Sequence, residues 1–233
     1  MTTGALSKLA RFAGILALAL ALAACGEGGK EKADQHLKKG QSLVAEGKHE
    51  AAIAEFKKAA ELNKDVVDAH IQLGNAYAAL KKHDEAFAAF AAAKKADRAS
   101  AKPYLASARL RMALGHVAAA VADIDQVTEL DPGNLEGMLL QGEASMMPQK
   151  QPDGSMGVSQ VSLDRARLNL ETVAQKTPGN IEAQYWLAKL YERIDQKDKA
   201  IAAWSKVGEL AKDKPDSART AAEVAEALTR LKR

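Results

Sequence analysis

Five histidines and one cysteine are the side chains of this 233-residue chain best suited to chemistry, so their spacing comes first. His36 and His70 lie 34 residues apart, as do His49 and His83, and His116 falls near a third such interval. Side chains at equivalent positions of stacked helix pairs are separated by a helix-packing distance of roughly 8–10 Å or more. A zinc ion needs its nitrogens at about 2.0–2.1 Å, so these histidines do not converge on a metal. His49-Glu50 begins like a helical zinc-protease pattern, but Ile53 stands where the second histidine is required. No Gly-x-Ser-x-Gly elbow or phosphate-cradling glycine loop is present. Glu46, Asp84 and Glu192 are scattered as a solvated face would be. The chain therefore reads as a non-enzyme, with no catalytic residue, metal or cofactor expected.

Cys25 is the exception, because of what precedes it. Lys8 and Arg11 are followed by thirteen uncharged residues, Phe12 to Ala24, rich in Leu and Ala. That is the layout of a signal peptide, and it falls short of the roughly 20 residues a membrane-crossing helix needs. Leu22-Ala23-Ala24-Cys25 resembles the lipobox of bacterial lipoprotein precursors. The resemblance implies cleavage before Cys25, a covalent lipid on its sulfur and a stable membrane anchor. Gly26, not Asp, follows the cysteine, which by the Gram-negative family rule implies the outer membrane, facing the periplasm. Expected boundaries are residues 1–24 for the signal peptide and 25–32 for the lipidated cysteine and a short tether. Without Lys8 and Arg11 the chain carries 31 basic and 30 acidic residues, interspersed, which leaves no basic stripe for nucleic acid.

Composition and periodicity describe the body that this anchor would carry. Residues are 47% hydrophobic, 27% charged and only 4% aromatic, with alanine supplying much of the apolar share. That balance favours helices over sheets. Gly40, Gly74, Ala108 and Gly142 recur every 34 residues; Ala52, Ala86 and Ala120 follow the first three by 12, and Phe56, Phe90 and Ile124 come four residues later. After Gly142 the matching alanine, Ala166, is 24 residues away, so an insertion of 12 interrupts that unit before Ala188 and Trp204 resume the pattern.

The period and its small and bulky positions resemble the tetratricopeptide repeat family. The resemblance implies an all-α, right-handed superhelical solenoid of five helical hairpins over residues 33–215. The units are 33–66, 67–100, 101–134, 135–180 with an insertion near 147–161, and 181–214, followed by a capping helix at 216–233. Its apolar side is expected to carry Ala221, Val224, Ala225, Leu228 and Leu231. Pro148, Pro152-Asp153-Gly154 and Gly157 make the insertion a loop, with Ser162 as N-cap of the helix that resumes. Ser107, Arg111 and Ser145 stand where larger apolar residues are usual in the family.

In that family the first helices of the hairpins line a concave groove. Its groove-facing positions carry over here as Leu37, Gln41 and Val44; Ile71, Asn75 and Ala78; Leu105, Arg109 and Met112; Leu139, Glu143 and Met146; and Tyr185, Lys189 and Glu192. An aliphatic row would run beside a polar one, a surface suited to a protein or peptide partner; the alternative is that the aliphatic row is partly buried between adjacent first helices. The family's carboxylate clamp is absent, since Leu37 and Ile71 replace its lysines. The resemblance implies a lipid-anchored scaffold supporting an envelope complex of pilus, secretion, β-barrel or exopolysaccharide-export type. The alternative is a periplasmic holdase for unfolded or apo-polypeptides. No nucleic acid or small-molecule substrate is expected.

Overall fold

A computed structural model describes residues 28–63, 66–150, 154–212 and 218–233. The expected signal segment and Cys25 lie outside the described residues. Eleven helices follow in order: α1 (28–45), α2 (His49–Leu62), α3 (Val67–Ala79), α4 (His83–Ala96), α5 (Lys102–Ala113), α6 (Val117–Leu130), α7 (Leu135–Met146), α8 (Gln160–Lys176), α9 (Ile181–Arg193), α10 (Lys197–Ala211) and α11 (Ala218–Leu231). Helix α1 already begins at residue 28, so residues 28–32 are its first turns and not tether. The chain divides into two compact units, one up to Ala106 and one from Ser107 onward.

Each hairpin is built by two local devices. The first is the turn between its helices. Lys48, Lys82, His116 and Gln196 each donate their N–H to the carbonyl five residues back, on Leu43, Tyr77, Arg111 and Tyr191. This Schellman closure needs a left-handed residue just before the donor. Gly47 and Gly115 supply it at φ 75°, whereas Lys81 and Asp195 are forced to 59° and 57°. The equivalent place in the fourth hairpin falls at Gln149, where the insertion enters.

The second device is packing between the helices. A Cβ placed on Gly40 would stand 2.4 Å from the Phe56 ring, and one on Gly74 equally close to Phe90. Glycine is therefore the residue that admits a phenylalanine from the second helix. Leu170 meets Gly142 in the same way, at 2.6 Å. In the unit up to Ala106, Ala52, Ile53, Phe56, Leu73, Ala76 and Ala89 form an apolar cluster with Leu37, Val44 and Tyr77 against it. In the second unit a cluster runs from Leu139 and Leu170 through Leu187 and Trp204 to Val224 and Ala227.

Two helices stop before proline pairs, Asp131-Pro132 and Thr177-Pro178, and the next helices start at once on asparagine caps. Asn134 accepts from the Gly137 N–H at 2.9 Å, and Asn180 from that of Ala183 at 3.0 Å. Such caps satisfy amide groups that the first turn leaves open. The cap of α8 is Ser159, not Ser162: its Oγ accepts the Ser162 N–H at 3.1 Å, and the helix starts earlier than the sequence suggests. The insertion is also more ordered than a plain loop. It forms a two-residue antiparallel ladder, β1 (Gln149–Lys150) with β2 (Met156–Gly157).

The unusual polar residues Ser107 and Arg111 of the third repeat are paired, not left as defects. Ser107 donates to the buried Asp123 carboxylate at 2.5 Å, and Arg111 lies 3.4 Å from the same oxygen while donating to the Ala119 carbonyl at 2.8 Å. Asn169 donates to Gln141 at 2.9 Å. Buried polar groups are tolerated when satisfied in this way. Helix α11 packs on α10 through Val224 and Ala227, with Leu228 and Leu231 half-buried. Ala221 and Ala225, expected on that face, are exposed.

Candidate functional site

The helices place the two anticipated rows very differently. Ile71, Leu105 and Leu139 are only 9%, 7% and 5% exposed, and Met112 and Met146 7% and 6%. Ile71, Leu105, Leu139 and Met112 are core residues and do not line an open groove, whereas Met146, though as buried, borders a cleft at α9. Leu37 and Val44 are half-buried against the first unit's cluster. The physical reason shows at α7 and α9, where Leu139, Met146 and Tyr185 join one apolar cluster: the row fills the seam between consecutive first helices.

The polar row stays accessible. Gln41 and Asn75 are exposed on α1 and α3. In the second unit Arg109 is exposed and holds Glu136 at 2.6 Å. Glu143 is half-buried on α7. Burial, reinforced by the Glu182 carboxylate and opposed by Arg109, pushes its carboxyl up to about 7.

Around α9 the row widens into a cleft of about 470 Å³ lined by Met146, Tyr185, Trp186, Lys189, Glu192 and Arg193. Tyr185 sets the geometry, with Trp186 and Trp204 both edge-on to its ring at 5.5 Å. The Lys189 ammonium lies 5.3 Å from that ring and 2.7 Å from Glu223 of α11. Tyr185 donates its hydroxyl to the same carboxylate at 3.1 Å. Arg193 donates to the Met146 carbonyl at 3.0 Å, tying α9 to α7. Glu192 accepts from the Trp204 indole at 2.5 Å and pairs with Arg230 of α11. The last helix thus reaches the polar row through Glu223 and Arg230, seven residues apart. Neither was anticipated, because α11 lies outside the 34-residue period. Trp186 and Arg193 were missed as well; the adjacent Tyr185-Trp186 pair, in a chain with so few aromatics, was the available signal.

Chemically, the cleft offers aromatic faces, a flexible thioether and charges of both signs, with no serine, cysteine or histidine in its lining. Those are the means of binding a peptide. The histidines have local roles. His36 pairs with Glu55 at 2.6 Å, and together with Lys39 and Lys58 it holds that carboxyl down at about 2. The Nδ1 atoms of His49 and His83 are buried without a partner. Among the described residues no cluster of three His, Cys, Asp or Glu is placed to hold a metal, and no helix is long and apolar enough to cross a membrane.

Helical hairpins in series, four of them closed by the same turn and three by a glycine set against a bulky side chain, define a helical repeat protein. Family models described as TPR repeat or tetratricopeptide repeat match residues 40–81, 67–100 and 182–213, and the chain is a tetratricopeptide-repeat protein. No curated protein sequence matches it. Among solved structures it is similar to YrrB, a TPR protein with an unusual peptide-binding site, at 22% identity and a TM-score of 0.56, over 86% of this chain and 95% of that one. TTC0263, a thermophilic TPR protein of Thermus thermophilus, gives 19% and 0.62 over 84% and 99%. Yeast Tom70 gives 16% and 0.69 over 86% of this chain and 41% of that one. At such identities the likeness is one of fold.

Proposed function

We propose that the mature chain is a lipid-anchored scaffold that binds protein or peptide partners on its first-helix face and supports assembly of an envelope complex. The observation that carries this reading is the cleft at α9, where Tyr185, Trp186 and Met146 offer apolar contact beside Lys189, Glu192 and Arg193. Aromatic and cationic side chains grouped in a concavity are what interface anchors are made of. The buried aliphatic row leaves specificity to the polar side chains: Gln41 and Asn75 in one unit, and Arg109, Glu143 and Lys189 in the other. Cys25 at the end of the apolar leader is the proposed lipidation site, with the periplasmic face of the outer membrane as the location.

Photo-crosslinking in cells tests the face directly. A benzoylphenylalanine at Trp186 or Asn75 is expected to capture the same protein repeatedly. One at Leu168, exposed on the second helix α8, is the control. Equal capture at all three positions refutes the assignment. The anchor is tested separately by fatty-acid labelling, which the Cys25→Ser precursor is expected to lose.

A further inference from the structure

A second concavity lies on the other set of helices. In the unit up to Ala106, a trough of about 720 Å³ opens between α2 and α4, over the N-terminal half of α3. Its apolar lining is Ala60 from α2, Leu73 from α3, and Ala92 and Ala96 from α4; Lys57, Glu61, His70 and Lys95 complete it. None of these is a residue of the polar row on the first helices.

The repeat period explains why the trough exists. Ala96 stands 34 residues from both Leu62 and Leu130, which are large and surface-exposed. Ala92 corresponds to Lys58 and Gln126, and Ala60 to Lys94 and Thr128. Three small side chains therefore coincide where the neighbouring repeats carry larger ones, and the space they leave is open to solvent. The charge around it is uneven. Lys57 on α2 and Lys95 on α4 are exposed, and neither makes an ion pair with a described residue. The Lys57 ammonium stands 5.8 Å from the Tyr77 ring. Glu61 is the single carboxylate of the lining.

We infer that this trough on α2, α3 and α4 is a docking site for an acidic amphipathic segment of a partner protein, its aliphatic side chains seated on Ala60, Leu73, Ala92 and Ala96 and its carboxylates on Lys57 and Lys95. An aliphatic side chain removes floor surface from water, and the two ammoniums supply the attraction that selects acidic over basic segments. A basic segment meets like charge at the rim and is rejected. The site is independent of the first-helix face, and either can fail without the other.

The test uses the mature chain carrying Cys25→Ser and a random dodecapeptide library displayed on phage, with clones that also bind an Ala96→Leu chain removed. Ala96 is half-exposed, so the added leucine fills the trough without entering the core; an unchanged thermal melt checks this, and Ala92→Leu replaces it if the melt shifts. Surviving peptides are expected to combine Leu or Ile with Asp or Glu. The best of them, made synthetically, is expected to bind at least about tenfold more weakly to the Lys57→Glu/Lys95→Glu chain, and more weakly as salt rises. The inference is overturned if no peptide survives the subtraction, if survivors show no acidic bias, or if the charge reversal leaves affinity unchanged.

Discussion

Replacing Gly74 by alanine sets two effects of known sign against each other. Glycine inside a helix costs about 0.8–1.0 kcal/mol relative to alanine, so on propensity alone Gly74→Ala stabilises α3. The new Cβ, however, would lie 2.4, 2.6 and 2.9 Å from three ring carbons of Phe90, a side chain only 1% exposed. Overpacking of this kind costs about 1–3 kcal/mol, because an enclosed ring cannot swing away. The expected net result is a loss of up to about 2 kcal/mol. Phe90→Ile alone leaves a void in front of Gly74 and costs about 1–3 kcal/mol. The double substitution recreates the Ala108 and Ile124 pair of the third repeat. Alanine then fills the space the ring vacated, so the double should lose at least about 1 kcal/mol less than the two singles added together. Repeat arrays unfold by neighbouring units, so the readout is hydrogen exchange of the α3 and α4 amides together with urea denaturation. Gly74→Ala that protects these amides as well as or better than glycine does, or strict additivity in the double, would refute the close-approach account. Gly40→Ala against Phe56 should repeat the result, since its distances are the same.

Lys81→Gly should raise the melting temperature. A left-handed lysine costs about 1–2 kcal/mol, less about 0.4–1 kcal/mol for glycine's freer unfolded chain, leaving a gain of up to about 1.5 kcal/mol; no rise counts against strain at φ 59°. The bond from His36 to Glu55, with Lys39 and Lys58, holds the carboxyl at about 2 against an ordinary 4.5. Its stabilisation is complete above about pH 4.5 and is lost as pH falls toward about 2. Protection of the α1 amides, taken relative to their intrinsic exchange rates, should fall across that window in the natural chain and not in Glu55→Gln. Glu143 has the opposite sign: raised to about 7, chiefly by burial, it favours folding fully below about pH 4.5 and loses that contribution as pH climbs through 7. Denaturation midpoints should show Glu143→Gln more stable than the natural chain above about pH 7, and the difference should shrink in acid.

The hairpin pattern was legible because it is written in local terms. Gly40 with Phe56, Gly74 with Phe90 and Ala188 with Trp204 are each one small and one bulky residue 16 positions apart, and the two helices of a hairpin meet at that separation whatever lies beyond them. The insertion was visible as a break in the same period, although its two-residue ladder and the Ser159 cap were not: hydrogen bonds in a short irregular stretch leave no periodic trace. Polar residues at Ser107 and Arg111 broke the apolar pattern, and only their approach to Asp123 accounts for them.

By itself, then, the order of residues determined the repeat length, the small-to-bulky contacts, and the exposure of Gln41, Asn75 and Arg109 on first helices. Tertiary structure alone decided that Ile71, Leu105 and Leu139 are core and not groove, that Glu223 and Arg230 reach Lys189 and Glu192, and that Ala60, Ala92 and Ala96 combine into one trough. The division has one cause. A 34-residue period records what each helix pair requires of itself, whereas burial and charge pairing between elements depend on which side chains a neighbouring helix brings up, and that becomes definite only when the helices pack.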